Sequence, residues 1–170
     1  MSKNIPIEIE RKFLIRIPSY SEMELQSNFR IRKITQTYLK SDGKKNARVR
    51  EIIENGQISY IKTVKERIST LSCYEDEHAI SNEEYKALLL TADNEKRSIH
   101  KTRYSFEYCE HILEIDVYDF WDDRATLEIE LESENEEFAI PSFIEVIKEI
   151  SADKRYKNTN LAKTVPFDEI

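Results

Sequence analysis

The sequence predicts an α+β chain: a large antiparallel sheet of eight strands, closed or strongly curved, with helices packed on its outside. Three observations predict it. Eight runs alternate or are rich in β-formers, at about 6–16, 31–40, 46–54, 57–66, 71–80, 98–107, 111–119 and 125–132. Asn55-Gly56 joins two of them with the strongest short hairpin signal in the chain. Helical spacing shows in only three places.

In chain order, the first run contains IEIERKFLI, residues 7–15. Side chains two apart in an extended chain share a face. Ile7, Ile9, Phe13 and Ile15 therefore lie on one side, and Glu8, Glu10 and Lys12 on the other. Ser19 or Ser21 caps a helix running through Phe29, and Ser41-Asp42-Gly43 reads as a turn. Arg48 and Arg50 oppose Ala47 and Val49, while Tyr60 and Lys62 share a face opposite Ile61. Glu75 and Glu77 pair at the same spacing. Ser81-Asn82-Glu83-Glu84 is a capping box opening a helix whose buried face carries Tyr85, Leu88 and Leu89. Lys101 and Arg103 then pair, and Glu114, Asp116 and Tyr118 line one side of their run against Leu113, Ile115 and Val117. Glu128, Glu130 and Glu132 alternate with Leu127, Ile129 and Leu131. Pro141 starts a third helix carrying Phe143, Ile144, Ile147 and Ile150.

No linker, repeat or composition break interrupts residues 1–170, which read as a single domain large enough for a substantial core. Charged residues are 35% and hydrophobic ones 39%, with 2 Gly and 4 Pro, a composition unlike low-complexity disorder. Apolar runs fall short of the roughly 18 residues a membrane span needs, and a signal-peptide pattern is absent. Cys73 and Cys109 have no CxxC spacing, so reduced thiols in a cytoplasmic protein are expected. His78, His100 and His111 form no zinc pattern. The net charge of −7 argues against a general nucleic-acid binder but is compatible with a local basic pocket.

An antiparallel sheet with one wet face alternates polar and apolar residues without any function. Here, however, the charges sort by sign along each strand: acids near 75, 114 and 128, bases near 48 and 101. A solvated sheet gains from opposite charges across strands, and like charges directly opposed are unfavourable. A barrel with its oily side outward would concentrate these groups in its lumen, at a cost unless something charged bound there. A polyanion with divalent metal ions satisfies both signs, because cations hold phosphate oxygens and carboxylates hold the metal.

Glu8-Ile9-Glu10-Arg11-Lys12 resembles the E-x-E-x-K signature of the CYTH superfamily, the triphosphate tunnel metalloenzymes. Gln36-Thr37-Tyr38-Leu39, Arg48-Val49-Arg50, Lys62, Glu75-x-Glu77, Lys101-Thr102-Arg103-Tyr104, Glu114-x-Asp116 and Glu128-Ile129-Glu130 follow in that family's order. Asp153-Lys154-Arg155-Tyr156-Lys157-Asn158 resembles its closing D-x-R-Y-x-N. The likeness spans nearly the whole chain and is greatest to the short, single-domain bacterial members. Cys73 stands where relatives often carry an arginine, and glycines usual after the lysine strand and before the last strand are missing. These departures bear on substrate preference more than on activity.

The resemblance implies an eight-stranded tunnel, open at both ends, that binds a triphosphate with Mg²⁺ or Mn²⁺. Glu8, Glu10, Asp116, Glu128 and Glu130 would be metal ligands, with Glu114 a further candidate. Lys12, Arg48, Arg50, Lys62, Arg103 and Arg155 would hold phosphates, although Lys65 competes with Lys62 and Arg155 could instead anchor the C-terminal segment. Tyr38 and Lys101 match a catalytic proton-transfer dyad. Glu75 and Glu77 would sit at the tunnel edge. The implied activity is metal-dependent hydrolysis of inorganic triphosphate or a related triphosphate, such as thiamine triphosphate, in a monomer or homodimer. An adenylate cyclase releasing pyrophosphate and a non-catalytic polyphosphate-binding module are the alternatives.

Overall fold

The computed structural model describes residues 6–41, 43 and 45–170. Nine strands are β1 (Ile7–Arg16), β2 (Ser27–Tyr38), β3 (Lys45–Glu54), β4 (Gln57–Arg67), β5 (Ser72–Ile80), β6 (Ile99–Tyr108), β7 (His111–Tyr118), β8 (Arg124–Glu130) and β9 (Val146–Glu149). Three short helices are α1 (Tyr20–Met23), α2 (Asn82–Leu89) and α3 (Asn158–Leu161), the last preceded by a 3-10 turn at Lys154–Tyr156. The sheet order β5-β4-β3-β2-β6-β7-β8-β1 closes on itself through β5–β1 pairing, and every pairing is antiparallel. The result is a closed eight-stranded antiparallel barrel, as expected. No helix among the described residues is long and apolar enough to cross a membrane.

Closure depends on β1 changing partner along one edge. Ile7, Glu8 and Ile9 pair with Tyr74, Cys73 and Ser72 of β5, whereas Phe13 to Ile15 pair with β9. Between these stretches, Glu10 N–H donates to the Leu71 carbonyl and Ile150 N–H to that of Lys12, so the edge stays satisfied. The Asn55-Gly56 turn has positive φ at both residues and sets Glu54 opposite Gln57. The expected Ser41-Asp42-Gly43 turn includes Asp42, which lies outside the described residues.

The outer face is hydrocarbon. Phe13, Ile15, Phe106, Leu113, Ile115, Leu127 and Ile129 form its main cluster, covered by Met23 of α1 and by Phe138, Phe143 and Ile144. A second patch, Leu39 and Val49, is roofed by α2 through Tyr85, Leu88 and Leu89, the expected buried face. Ser81 caps α2, its Oγ accepting from Glu84 N–H at 3.1 Å.

Two expected helices differ. The helix from Ser19 stops at Met23 instead of Phe29, because β2 begins at Ser27 and stacks Phe29 against Tyr104. The helix from Pro141 does not form: Pro141–Ile144 is a turn, and Val146–Glu149 is β9. Val146 and Ile147 are β-branched, and the free edge of β1 at Phe13–Ile15 supplies the hydrogen bonds a short helix would have had to make internally.

One end of the barrel is filled. Leu14, Tyr38 and Tyr118 point inward there and pack with Ile99, Trp121, Ile150, Tyr156 and Leu161. Tyr38, Ile150 and Tyr156 of this cluster also line the cavity in the lumen.

Candidate active site

Register decides what faces the lumen. Glu10 lies opposite Glu130 and Lys12 opposite Glu128 across β1–β8. Glu114 lies opposite Glu128 across β7–β8, and Arg103 opposite Asp116 across β6–β7. On the far side, Arg48 and Arg50 pair with Tyr38 and Gln36 of β2 and with Thr63 and Ile61 of β4. Directly paired residues share a face, so Lys65, opposite Glu75, points inward with Ile61 and Thr63. Apart from Gln36, Thr63 and Asp116, these side chains line a cavity of about 330 Å³.

The walls differ in charge. Around the closed ring β8 is four strands from β3 in either direction, so Glu128 and Glu130 look across the lumen towards Arg48 and Arg50. Burial, then Glu128, pushes the Glu10 carboxyl up to about 8. Burial, then Glu114 and Glu8, raises Glu130 to about 7. Among the described residues neither makes an ion pair. Glu128 is held down at about 2 because Lys12, 2.9 Å away, and Arg103 outweigh burial. On the basic wall, the buried Nε atoms of Arg32, Arg48 and Arg50 have no acceptor among the described residues, nor has Gln36 Oε1 a donor. Arg50 donates to Glu77 at 2.5 Å, yet burial and Arg48 lower it to about 10. Unpaired buried donors cost about 1–3 kcal/mol each, a cost that an anion in the cavity would relieve.

The carboxylate set suits a hard divalent cation. Glu8, Glu10 and Glu130 offer oxygen ligands, each raised first by burial and then by neighbouring carboxylates, an environment a bound cation would relieve. Glu8 and Glu75 also lie beside Cys73, with one ligand atom of each within 4.8 Å of the others.

A family model described as the CYTH domain matches residues 6–164. The chain belongs to the CYTH family. Among solved structures, the crystal structure of the inorganic triphosphatase NE1496 is similar over 94% of this chain and 97% of that one, at 27% identity and a TM-score of 0.57. The PH1819 protein of Pyrococcus horikoshii OT3 shares the fold, at 18% identity and a TM-score of 0.57 over 75% of this chain and 80% of that one. No curated protein matches the chain in sequence.

Of the residues that the CYTH resemblance picks out, the structure gathers Glu8, Glu10, Lys12, Tyr38, Arg48, Arg50, Arg103, Glu128 and Glu130 on the cavity wall. Lys62 is not among them. It pairs with Val49, whose side chain is on the outer face under α2, and Lys65 occupies the lumen instead. Arg155 also lies off the wall: it is exposed and its guanidinium is clamped by Asp153 (2.7 Å) and Asp168 (2.9 Å). It thereby anchors the segment whose neighbours Tyr156, Lys157 and Asn158 reach the cavity.

Asp116 and Lys101 are buried behind the wall. Asp116 accepts from Lys101 Nζ at 2.6 Å and from Arg103 Nε and Nη2 at 2.7 and 2.8 Å, and the two cations hold it well below the usual carboxylate range despite burial. Burial, then Arg103, brings Lys101 down to about 7. Lys101 faces Ile34, four residues along β2 from Tyr38, a separation of about 13 Å along an extended strand. Among the described residues no hydrogen bond joins Lys101 to Tyr38. Tyr38 instead accepts from Gln36 Nε2 at 2.9 Å beside Arg48.

The sequence reading missed Arg32, which meets Glu114 at 3.0 Å on the cavity wall. Its even-numbered parity with Gln36 and Tyr38 was the available signal. Cys73 also lines the cavity, its thiol pushed up to about 12 by burial and then by Glu8, with Lys65 opposing.

Proposed function

We propose that this CYTH chain is a metal-dependent hydrolase of inorganic triphosphate. The observation that carries the reading is the facing of two incomplete walls. Arg32, Arg48 and Arg50 hold buried donors without acceptors, and across the lumen Glu10 and Glu130, raised by burial and then by neighbouring carboxylates, make no ion pair among the described residues. A short polyphosphate with a divalent ion completes both. The likeness to the triphosphatase NE1496 over 94% of the chain supports the same substrate class.

In this reading Glu8, Glu10 and Glu130, with Glu128 beside them, hold Mg²⁺ or Mn²⁺. An ion held there would supply charge neutralisation at the phosphate oxygens and a polarised water. Arg48, Arg50, Arg103 and Lys12 grip the phosphate chain, joined by Arg32 and by Lys65 in the place expected of Lys62. Asp116 and Lys101 act behind the wall: their ion pairs fix the Arg103 guanidinium in one orientation. Tyr38 donates its hydroxyl to the phosphate nearest Arg48. Most of the rate enhancement comes from positioning and charge, the contributions phosphoryl transfer needs most.

Phosphorus NMR of the purified protein with Mg²⁺ and, in parallel, tripolyphosphate, ATP and thiamine triphosphate tests the proposal. Orthophosphate and pyrophosphate from tripolyphosphate, fastest of the three and abolished by EDTA, is the expected result. Cyclic AMP from ATP would make the protein a cyclase, and tight tripolyphosphate binding with no product would make it a binding module.

A further inference from the structure

Lys65 stands between the two walls. From β4 it reaches the Glu8 carboxylate of β1 in direct contact and lies 2.8 Å from Glu75 Oε2 of β5. Cys73 Sγ approaches the same Glu8 oxygen at 3.4 Å. One ammonium thus neutralises two carboxylates at the seam where β5 closes on β1. Lys12 and Arg50 are salt-bridged to one carboxylate each, Glu128 and Glu77. Arg103 pairs with Glu114, Asp116 and Glu128, and Lys65 is the ammonium that bridges two carboxylates across the seam, Glu8 of the proposed metal-binding set and Glu75.

An ammonium and a divalent ion cannot both occupy hydrogen-bonding range of one carboxylate oxygen without strong repulsion. When displaced, Lys65 would remain beside Arg48, whose charge already disfavours it, until an anion arrived. We propose that Lys65 is a built-in counter-ion that competes with the divalent metal for Glu8 and Glu75 and passes to the phosphate chain when both ligands are present. The proposal rests on the triphosphate reading of the cavity. Metal alone must then expel an ammonium with no new partner, and polyphosphate alone finds that ammonium occupied. Bound together, each removes the other's obstacle, so the two ligands bind cooperatively, and reciprocally so.

Calorimetric titration of Mn²⁺ tests this, without phosphate and with a saturating bis-methylene triphosphate analogue that cannot be hydrolysed. The wild type should bind Mn²⁺ about tenfold more tightly with the analogue than without it, the range of an ordinary coupling energy. Lys65→Met, nearly isosteric, should bind Mn²⁺ alone about tenfold more tightly than the wild type and lose most of the coupling. Lys65→Arg, which keeps the cation, should keep the coupling. An independent readout needs no variant: the side-chain ¹⁵N signal of Lys65 in the wild type should shift when Mg²⁺ is added alone. A Lys65→Met protein with unchanged or weaker Mn²⁺ affinity, or a Lys65 signal indifferent to Mg²⁺, overturns the proposal. If Mn²⁺ binds the wild type but triphosphate is not hydrolysed, the functional reading fails while the competition is still decided by the Mn²⁺ titration. If Mn²⁺ binds neither protein, both fall.

Discussion

Glu10 and Glu130 face one another across β1–β8 with no cation paired to either among the described residues. Like charges opposed in this way destabilise a strand pair by up to about 1 kcal/mol. Glu10→Gln should therefore have effects of opposite sign. Activity with Mg²⁺ and tripolyphosphate should fall at least about 100-fold, as when a group stabilising transition-state charge is removed. In EDTA at alkaline pH the variant should unfold at a higher temperature than the wild type. An unchanged rate would remove Glu10 from the metal site. Lys62 makes a contrasting case three residues from Lys65: its side chain is outside, so Lys62→Ala should leave kcat and KM within about twofold of the wild type, the usual insensitivity of surface positions. The hairpin turn is enough to imply this register. With Asn55-Gly56 in the turn, Glu54 faces Gln57, Arg50 faces Ile61 and Arg48 faces Thr63, which puts Lys65 rather than Lys62 on the arginine face.

At the scale of elements, local signals were reliable where hydrogen bonding is local. The Asn55-Gly56 turn and the Ser81 cap both formed as the sequence predicts, since each is satisfied within four residues. Ser81→Ala should lower stability by about 1 kcal/mol without touching catalysis, measurable as a lower unfolding midpoint with an unchanged kcat. Residues 141–150 were illegible for the converse reason. Phe143, Ile144, Ile147 and Ile150 have helical spacing, but the same residues serve two clusters: Phe143 and Ile144 cover the outer face, whereas Ile147 and Ile150 join the plug. A strand docking on β1 reaches both; one helical face would not.

The whole molecule sets the electrostatics through strand order. Because β8 and β3 lie across the ring from one another, acids and arginines that are distant in sequence confront each other over one cavity. Glu10 and Glu130, at about 8 and 7, titrate well above the ordinary value of 4.5. A carboxyl whose folded value is raised contributes stability that is present below its unfolded value and lost as pH rises through the folded one. The metal-free protein should therefore lose stability as pH rises from about 4.5 to about 8, with nothing further lost above that. Glu75 and Glu128, both near 2, act in a separate acidic window: their contribution is lost only as pH falls from 4.5 towards 2. Metal binding requires the ionised forms of Glu10 and Glu130, so Mg²⁺ should bind more tightly and release fewer protons as pH rises through 7 and 8. At 100 times its dissociation constant it should add about 2.7 kcal/mol, roughly 5–10 °C in melting temperature. Melting curves with Mg²⁺ and with EDTA across this range check the sign, and a stabilisation that shrinks as pH rises would exclude these two carboxyls as ligands.

The sequence by itself determined the alternating strands, the hairpin turn, the α2 cap and the sorting of charge by strand, because each depends on neighbours two to four residues apart. It also carried the motif order whose acidic and basic pairs, among them Glu8, Glu10, Arg48, Arg50, Glu128 and Glu130, line one cavity. Only the tertiary structure decided the rest. It buried Asp116 and Lys101 behind Arg103, moved Arg155 out to Asp153 and Asp168, and filled one end of the barrel with Leu14, Tyr118 and Tyr156. Those outcomes depend on how far along each strand a residue lies when the barrel closes, and on which side chain wins a shared partner. Both are set by contacts between segments more than ten residues apart, which alternation along a single strand does not encode.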